Sequence, residues 1–311
     1  MKLVLKYQIN NMYNNNFFNN ISYKFFNLLP DKLFIQLKFF KNFHRLPNLK
    51  KPKTFNEKLQ WLKLYDRNPY YTKLVDKYEV KKIVADIIGE EYIIPTLGVW
   101  DNAEDIDFES LPNQFVLKAT HDSGRVIICK DKDKLNKEWA KKEMAKSLKR
   151  DFYALTREWP YKNVPRRIIA EKFMEEPDST KRKDDLPDYK FYCFNGNPTF
   201  CQVIRDRNSK ETIDFYNMQW DHMPFIGLNP VARNGKTPVA KPLHLQEMIG
   251  ICKKLSKGIP FSRIDLYVVD DKEYFGEITF YPASGMGEFT PKKYNNKLGE
   301  MIKLPIEQET D

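Results

Sequence analysis

Two acidic residues in the last quarter of the chain, Asp265 and Glu277, occupy matching places in a predicted β-hairpin. Alternating apolar residues predict one strand over 263–269 and a second over 274–280. With the turn centred near Asp271, the two carboxyl groups face each other, with Cβ atoms about 5 Å apart. Carboxylates this close repel each other unless a cation lies between them. Because Mg²⁺ prefers oxygen ligands, the pair indicates a magnesium site.

The same hairpin carries a cation of its own. The register that pairs the two carboxylates also places Arg263 opposite Thr279, with a turn over 270–273. A solvated face neutralised by Arg263 or by a lysine is therefore the alternative to a metal site. The other face of the hairpin is predicted to be buried, and its apolar residues are Ile264, Leu266, Val268, Ile278 and Phe280.

A lysine also lies inside an apolar strand in the first half of the chain. Lys118 interrupts the apolar run 115–119, and a buried charge is costly unless it meets an anion. A loop of small and polar residues follows, among them His121, Ser123 and Gly124. Backbone N–H groups in such loops approach phosphates closely. The segment is interpreted as a phosphate-binding lysine and loop, with a plain hairpin turn as the alternative.

A strand predicted over 167–174 and a hairpin that follows it supply further polar groups. The strand ends in four residues of mixed character, Glu171, Lys172, Phe173 and Met174. Backbone groups at such an end suit the edge of a purine, and the apolar side chains suit its face, although a plain strand end is the simpler interpretation. The hairpin is predicted over 189–204 around the turn Asn195–Gly196, with Lys190 and Tyr192 on one face.

The composition limits the class of protein. The chain has 311 residues, 41% of them hydrophobic, which is enough for one or two packed cores. No apolar run approaches the roughly 18 residues of a membrane helix. The four cysteines stand far apart without zinc-type spacing, which argues against a disulfide scaffold and favours a reducing cytoplasm. The net charge of +10 favours an anionic partner, but nucleic acid is not expected without a binding motif.

The remaining segments predict helices and short strands. Helices are predicted over 31–41, from the capping box Thr54–Glu57 through Tyr65, over 74–88 with a stop at Gly89, over 133–155 and over 243–255. Short strands are predicted over 92–95, 97–100, 115–119 and 126–129, and a polar connector is expected over 175–187. Helices mixed with antiparallel hairpins indicate the α+β class.

The first of these helices has two interpretations. Leu33, Leu37 and Phe40 lie at helical spacing, with lysines between them. The stripe either docks on the rest of the protein, as in an ordinary surface helix, or lies on an anionic membrane surface. The second use implies peripheral binding at the inner face of the membrane.

Taken in order, these segments resemble the TupA-like ATP-grasp family, which is linked to teichuronopeptide and capsular polysaccharide synthesis. The stretches that carry the resemblance are 54–61, 76–78, 111–121, 188–196 and 276–282. It implies an α+β ATP-grasp fold, with two α+β lobes that sandwich the nucleotide and an N-terminal helical extension. The expected ranges are 1–75 for the helical, basic segment, 76–165 for the lobe with the phosphate-binding lysine, 166–304 for the lobe with the adenine hinge and metal-binding hairpin, and 305–311 for a tail. The boundary between the lobes is expected near 165–176.

The resemblance also implies a role for each candidate residue. For ATP, the implied contacts are Lys118, His121, Ser123 and Gly124 at the phosphates, Glu171, Lys172, Phe173 and Met174 at the adenine, Asp188 at the ribose or a phosphate-side cation, and Lys190 in the same cofactor site. For Mg²⁺, the implied ligands are Asp265, Glu277 and Thr279, where many ATP-grasp ligases have asparagine in place of the threonine. Lys118 and Arg263 are the implied catalytic residues, and Arg263 steadies the transferring phosphoryl group.

The implied reaction joins a carboxylate to an amine with ATP, through an acyl phosphate, and releases ADP and phosphate. A basic surface suits a carboxylated sugar or glycan, so the expected substrates are a uronic acid unit and an amino acid or similar amine. Two other functions stay open. Asp131 and Asp133 have the Asp-x-Asp spacing of a glycosyltransferase, although a solvated turn that leads to a helix cap at Asp133 explains them better. A non-catalytic basic module that docks on membrane or glycan is the third interpretation.

Overall fold

The computed structural model describes residues 28–175, 188–205, 211–228 and 233–305. Contacts between residues divide the chain into two compact units. Unit 1 comprises Met1–Leu46 and Pro95–Phe173, and unit 2 comprises Pro47–Ile94 and Met174–Asp311. This division differs from the expected ranges, because the segment after Pro47 belongs with the carboxyl-terminal half. Residues 1–27 of the expected extension, nearly all of the connector and residues 306–311 of the tail lie outside the described residues.

The described residues form helices and strands in an order that mixes both types. The helices are α1 (Asp31–Phe43), α2 (Phe55–Tyr65), α3 (Tyr70–Val75), α4 (Glu79–Ile88), α5 (Lys137–Lys149), α6 (Phe152–Thr156), α7 (Leu245–Leu255) and α8 (Lys293–Met301). The strands are β1 (Thr96–Trp100), β2 (Phe115–Ala119), β3 (Val126–Cys129), β4 (Ile168–Lys172), β5 (Asp188–Phe194), β6 (Asn197–Arg205), β7 (Thr212–Asn217), β8 (Ile226–Gly227), β9 (Phe261–Val269), β10 (Lys272–Thr279) and β11 (Phe289–Thr290).

Unit 1 is built on a four-stranded antiparallel sheet with the order β1-β4-β2-β3. The strands predicted in this part of the chain are confirmed, with small shifts at their ends. Alternate residues of β2 face the core, where Phe115 and Leu117 belong to one cluster with Ala140 and Met144 of α5. Lys118 follows Leu117 and therefore lies on the opposite face of β2, away from this core.

The prediction of one helix over 133–155 is wrong. A short 3₁₀ turn precedes α5, and α6 follows as a separate helix. The Asn136 side chain accepts a hydrogen bond from the N–H of Trp139 at 2.9 Å, and the Asp151 side chain accepts one from the N–H of Ala154 at 2.8 Å. Each of these two side chains caps the start of a new helix. In the sequence, Asn136 and Asp151 also fit the solvent-facing side of one long helix, and for this reason the division was not predicted.

The helix predicted over 74–88 is likewise two helices, α3 and α4. Between them the Asp76 carboxylate accepts hydrogen bonds from the N–H groups of Tyr78 and Glu79, at 2.9 and 3.4 Å, which competes with a continuous helix. The predicted stop is confirmed, because Gly89 follows α4 with a φ of 120°. The strand predicted over 92–95 is wrong, because only Ile93 pairs there, in an isolated bridge.

Unit 2 is built on a five-stranded antiparallel sheet with the order β10-β9-β5-β6-β7. The hairpin predicted around Asn195–Gly196 is confirmed as β5 and β6, and both turn residues have positive φ, 50° and 78°. Helix α7, which was expected over 243–255, packs against β5, β6 and β9. The predicted capping box is also present at the start of α2, where the side chains of Thr54 and Glu57 each accept the other residue's N–H.

The β9–β10 hairpin brings Asp265 opposite Glu277, as predicted. The turn that joins the strands differs from the prediction of four residues over 270–273. It consists of Asp270 and Asp271 alone, both with positive φ, 52° and 54°. A two-residue turn of this kind matches the twist of the strands that it joins. On its own, however, the shorter turn would shift the pairing by one residue, so that Glu277 would no longer lie opposite Asp265.

A β-bulge at Gly276 restores the register, so that Arg263 faces Thr279. A Cβ at Gly276 would lie 2.9 Å from the ring of Tyr267 and 3.0 Å from the carbonyl oxygen of Asp265. The bulge therefore requires a residue without a side chain. Most of the face predicted to be buried is buried, and its buried members are Ile264, Leu266, Ile278 and Phe280, whereas Val268 is half-buried.

Helix α1 packs against the rest of unit 1, but not through the predicted stripe of Leu33, Leu37 and Phe40. Its buried residues are Ile35 and Phe39, whereas Leu33, Leu37 and Phe40 are 43%, 44% and 51% exposed. The prediction that α1 docks on the protein is therefore confirmed, but the prediction that Leu33, Leu37 and Phe40 are the docking residues is wrong.

All four cysteines are free and buried. Among the described residues, no helix combines the length and the apolar character needed to cross a membrane.

Candidate functional site

Strands β5 and β9 place an ionic cluster on one face of the unit 2 sheet. Lys190 of β5 pairs directly with Asp265 of β9. Its ammonium group contacts the carboxylate of Asp265 and, at 2.8 Å, that of Asp188. Asp188 and Lys190 are two residues apart on one strand and therefore share a face. All three side chains are buried, so the structure brings these three predicted site residues together.

Arg263 lies between the two carboxylates of the hairpin. Its Nε and Nη2 donate to the two oxygens of Asp265, both at 2.7 Å, and Nη2 also donates to Glu277 Oε1 and Thr279 Oγ1, both at 3.1 Å. The guanidinium therefore reduces the repulsion between Asp265 and Glu277, although its single positive charge does not cancel both carboxylates. The alternative to a metal site was a solvated face neutralised by Arg263 or by a lysine. Its cations are present, because Arg263 and Lys190 both contact Asp265, but Asp265 is buried and not solvated.

Burial and neighbouring charges shift two pKa values in this cluster. Burial raises the pKa of the Asp265 carboxyl, and the charges of Arg263 and Lys190 counteract that rise. Burial alone would lower the pKa of Arg263, but the charge and hydrogen bonds of Asp265 outweigh it, so this pKa is raised.

The three predicted magnesium ligands are all oxygen donors, which is the donor set that Mg²⁺ prefers. Asp265 is enclosed, because each of its oxygens already accepts from Arg263 or Lys190. The Glu277 side chain is 43% exposed and Thr279 is half-buried. The oxygen donors of Asp265, Glu277 and Thr279 would suit a magnesium ion, and Glu277 and Thr279 are the accessible members of the set.

In unit 1, Lys118 contacts a carboxylate, as expected for a lysine inside an apolar strand. Its ammonium group pairs with Glu171 of β4. Glu171 stands opposite Val116 of β2, and Val116 lies on the same face of β2 as Lys118, two residues before it. The Lys118 side chain is 21% exposed, so an anionic ligand can reach it. Glu171 is predicted to begin the adenine hinge, but its side chain is directed to Lys118.

The loop after Lys118 is supported by His121 and by two side chains that the sequence patterns do not single out, Asp122 and Arg150. His121 is buried, and its Nε2 lies 3.1 Å from the carbonyl oxygen of Arg150. Arg150 in turn donates from Nη1 to Asp122 Oδ1 and to the carbonyl oxygen of Ser123, both at 2.9 Å. Ser123 is half-buried, and Gly124 is exposed with a φ of 87°. Ser123 and Gly124 are thus the accessible part of the predicted phosphate loop, and His121 supports it.

The strand end predicted as an adenine hinge is partly enclosed. Lys172 is exposed, and Phe173 and Met174 are half-buried. The ammonium group of Lys130 lies 5.6 Å from the centre of the Phe173 ring, a distance at which a cation and an aromatic face attract each other. The N–H of Lys172 donates to the carbonyl oxygen of Pro95 at 3.0 Å. The N–H of Lys172 is therefore already engaged in a hydrogen bond within unit 1.

Asp131 and Asp133, the Asp-x-Asp alternative, belong to a turn. The Asp131 carboxylate accepts a hydrogen bond from the N–H of Asp133 at 3.2 Å and pairs with Lys134. It thereby caps the 3₁₀ turn Lys132–Lys134. The helix cap predicted at Asp133 is wrong, because Asn136 caps α5. The turn interpretation accounts for both acidic residues.

A second group of potential metal ligands lies on the other face of the β9–β10 hairpin. His244, Glu247 and Glu273 each present a ligand atom within 4.8 Å of the others. Glu273 pairs with Val268 and therefore faces away from Asp265. Sequence reasoning misses this group, because its acidic members stand on different elements and carry no motif.

The family model described as TupA-like ATP-grasp matches residues 57–303. No curated protein matches the sequence.

Several solved structures are similar at low identity. D-alanine–D-alanine ligase from Bacillus anthracis complexed with ATP has 17% identity and a TM-score of 0.37, and the match covers 67% of this chain and 53% of that chain. D-alanine–D-alanine ligase from Helicobacter pylori has 17% identity and a TM-score of 0.40, with 80% of this chain and 69% of that chain covered. The ATP-grasp ligase PsnB complexed with a phosphomimetic variant of its minimal precursor, Mg and ADP has 9% identity and a TM-score of 0.35, with 72% of this chain and 56% of that chain covered. The chain spans about half the length of the first of these. At these identities the solved structures say nothing about its substrate.

Proposed function

Because the chain belongs to the TupA-like ATP-grasp family, we propose that it is an ATP-dependent ligase that joins a carboxylate to an amine through an acyl phosphate in surface polysaccharide synthesis. The observation that supports this proposal most is the ionic cluster around Arg263 and Asp265. Phosphoryl transfer needs oxygen ligands for magnesium and fixed cations for the phosphate charge. One hairpin and its neighbouring strand offer both.

In unit 1, Lys118 binds the phosphates of ATP, because its ammonium group is accessible and already lies in an ionic setting. The N–H group of Gly124 adds a donor to the same phosphates, whereas that of Ser123 already donates to Asp122 Oδ1 at 2.8 Å. Backbone groups at the end of β4 hold the adenine edge, and Phe173 and Met174 contact its face.

In unit 2, Arg263 offsets the charge of the transferring phosphoryl group. Asp265, Glu277 and Thr279 would hold Mg²⁺, which when bound neutralises phosphate oxygens and orients them. Lys190 holds Asp265 in place through its direct contact, and Asp188 holds Lys190. These fixed charges are present before the reaction, which is how preorganised sites lower a barrier.

The chemistry requires no covalent bond to the protein. A carboxylate oxygen of the substrate attacks the γ-phosphorus, and the bond from that phosphorus to the oxygen of ADP breaks. The amine then attacks the acyl carbon, phosphate leaves with the electron pair, and the nitrogen gives up one proton. The net charge of +10 suits an acidic glycan, so the proposed substrates are a uronic acid unit and an amino acid or similar amine.

The test is an incubation of the full chain with Mg-ATP, fractionated capsule precursors that contain uronic acids, and a panel of amines. We expect ADP and phosphate to form in equal amounts and a product heavier by the amine minus water. Consumption of a nucleotide sugar without ADP release would instead indicate a glycosyltransferase. Absence of nucleotide binding would indicate a non-catalytic docking module.

Glu277→Gln is expected to reduce ADP formation by about 100-fold, the order seen when one charge-stabilising group is removed from an active site. Its thermal midpoint should fall by less than about 4 °C, because the Arg263–Glu277 pair is partly exposed and such pairs contribute about 0–1 kcal/mol. ADP formation and a thermal melt without metal measure the two effects. Glu104→Gln, which neutralises an exposed glutamate paired with Lys141, is the control. Full activity in Glu277→Gln would remove Glu277 from the proposed metal site.

Peripheral membrane binding is a second proposed property, and the exposed stripe of α1 favours it. Ile35 and Phe39 dock the helix, which leaves Leu33, Leu37 and Phe40 on the outside of a basic helix. Such helices lie on anionic bilayers with their apolar side inserted. We expect the protein to sediment with phosphatidylserine-containing vesicles and not with phosphatidylcholine vesicles.

The double variant Leu37→Ser/Phe40→Ser is expected to weaken this vesicle binding by about tenfold or more, since each buried side chain contributes about 1.5–3 kcal/mol. Leu243→Ser is the control, because Leu243 is a 79% exposed leucine of unit 2. Equal binding of all three proteins would show that α1 does not touch the membrane.

A further inference from the structure

Helix α2 directs a row of polar side chains into the interior of unit 2. Asn56, Gln60 and Lys63 are spaced by four and three residues and therefore lie on one face of the helix. They are 3%, 0% and 1% exposed. Polar groups at this depth are costly unless each finds a hydrogen-bonding partner, so their partners indicate what the row is for.

The three side chains donate to oxygen atoms of one loop, which follows β10 and spans residues 282–287. The hydrogen bonds run from Asn56 Nδ2 to Gly285 (3.1 Å) and Gly287 (2.6 Å), from Gln60 Nε2 to Ser284 (3.3 Å) and Gly285 (3.0 Å), and from Lys63 Nζ to the carbonyl and hydroxyl oxygens of Ser284 (both 2.8 Å). Three side chains of one helix therefore hold the backbone carbonyl groups of three loop residues, Ser284, Gly285 and Gly287.

The backbone of this loop needs such support. Ala283, Ser284 and Gly285 have consecutive φ values of 48°, 54° and 63°. Residues with a Cβ disfavour this left-handed conformation, which persists only where the surroundings impose it. Gly285 lies against α2, and a Cβ there would come within 2.5 Å of Gln60 Nε2 and 3.0 Å of Leu59 Cβ. The helix thus holds a strained course of the chain by direct contact.

The loop is also tied to the ionic cluster by the chain itself. Pro282 lies three residues after Thr279, and three residues span at most about 11 Å. Thr279 accepts from Arg263, and its hydroxyl lies 3.3 Å from Glu277 Oε1. A loop released from α2 would therefore let the end of β10 move. In active sites, a misplacement of about 1 Å can reduce the rate by as much as about 100-fold.

We propose that Asn56, Gln60 and Lys63 are positioning residues, which fix the 282–287 loop and, through it, the carboxylate end of β10 for phosphoryl transfer. The catalytic half of this proposal rests on the proposed function. The structural half, that α2 imposes the course of the loop, does not depend on it.

Hydrogen exchange on the full chain tests the structural half. In Lys63→Met, the amides of residues 283–288 are expected to exchange at least about tenfold faster than in the parent protein, which corresponds to about 1.4 kcal/mol of local stability. Lys58→Met is the matched control, because Lys58 is on the same helix and donates instead to the carbonyl oxygen of Ile302 at 2.7 Å. Gly285→Ala is expected to act like Lys63→Met without removing a charge.

A second substitution distinguishes imposed strain from general loosening. Ala283 is exposed and holds a positive φ, and glycine adopts such a φ without penalty. Ala283→Gly added to Lys63→Met is therefore expected to return the exchange rate of the loop toward the parent value. Loop exchange that is unchanged in both Lys63→Met and Gly285→Ala would overturn the proposal.

Binding of Mg-ADP and of Mg-ADP with aluminium fluoride tests the catalytic half, since the fluoride complex mimics the transferring phosphoryl group. The parent protein is expected to bind the complex at least about 100-fold more tightly than ADP, as is usual for such analogues. Lys63→Met and Gly285→Ala should lose most of this preference and retain their affinity for ADP, whereas Lys58→Met should keep both. A merely structural role would change both affinities or neither.

The outcomes of the two measurements separate the two proposals. A preference that stays intact in Lys63→Met and Gly285→Ala, with the loop released, would overturn the positioning role. A parent protein that binds no ADP would overturn the proposed function, and the exchange measurement would still decide whether α2 imposes the loop.

Discussion

Asp265→Asn is expected to lower the thermal midpoint by about 10 °C and to abolish ADP formation. Asp265 is completely buried and accepts from both Arg263 and Lys190. Removing one partner from a buried ionic group costs about 3–5 kcal/mol, because the remaining charges lose their compensation. For a domain of about 150–250 residues, each kcal/mol lowers the midpoint by about 2–4 °C. The loss of activity has a separate cause under the proposed function, in which Asp265 is a magnesium ligand and a neutral amide would bind the ion more weakly than the carboxylate.

Asp214→Asn separates the two effects. Asp214 is a buried acidic residue of the same sheet, on β7, where it pairs with Arg205 at 3.0 Å and with His222 at 3.2 Å. The substitution should lower the midpoint by a similar amount and leave ADP formation measurable at a temperature where the variant is folded. If Asp265→Asn melts like the parent and turns over ATP, the ionic cluster is neither a structural nor a catalytic centre.

Lys118→Met is expected to weaken ATP binding by about 10–150-fold and to slow turnover with it. A charge-assisted contact between an ammonium group and a phosphate is worth about 1.5–3 kcal/mol, and each 1.4 kcal/mol is a factor of ten in affinity. Methionine keeps most of the length and packing of the lysine stem. Titration with a fluorescent ATP analogue, with and without Mg²⁺, measures the effect.

Lys141→Met provides a close control for this measurement. Lys141 belongs to the same unit, its side chain has the same 21% exposure, and it pairs with a carboxylate, Glu104, at 3.3 Å. It should bind ATP like the parent protein. Unchanged ATP affinity in Lys118→Met would assign Lys118 to the structure of the sheet, as the partner of Glu171, and would leave the phosphate site elsewhere.

The part of the site that depends on local periodicity could be predicted from the sequence. Alternation along the strands places Asp265 and Glu277 together, and the turn residues near 270 confirm the hairpin. The register is correct although the turn is shorter than expected, because the bulge at Gly276 compensates. A glycine inside a strand indicates a bulge, but its presence does not say which way the register moves.

The partners of the charged residues could be predicted only by type. An apolar strand that contains Lys118 requires an anion, but the sequence does not indicate that the anion is Glu171. Likewise a cation between the hairpin carboxylates is required, and Arg263 is only one of the candidates before the side-chain contacts are known. Ionic contacts form between distant strands, and their geometry depends on the sheet order, which periodicity does not contain.

Helix boundaries were predicted least well. The segments 74–88 and 133–155 have continuous helical patterns, and each is divided by a side chain that accepts backbone N–H groups, namely Asp76 and Asp151. Aspartate is common on the solvent side of helices as well as at their starts, so its presence does not decide between the two. The buried polar row of α2 could not be predicted at all, because its partners are more than 200 residues away, the nearest at a separation of 221.

That separation has a consequence for the order of events during synthesis. Unit 2 consists of two stretches of chain with part of unit 1 between them, so α2 leaves the ribosome well before the loop that binds its polar face. Domains generally fold as they emerge, beginning from the amino end. The sheet of unit 1 has all of its strands available earlier, whereas Asn56, Gln60 and Lys63 stay hydrated until the last quarter of the chain is made. The loop that joins α2 is therefore expected to become ordered late, and a nascent chain stalled before residue 282 would carry a formed Lys118–Glu171 pair but an incomplete second unit.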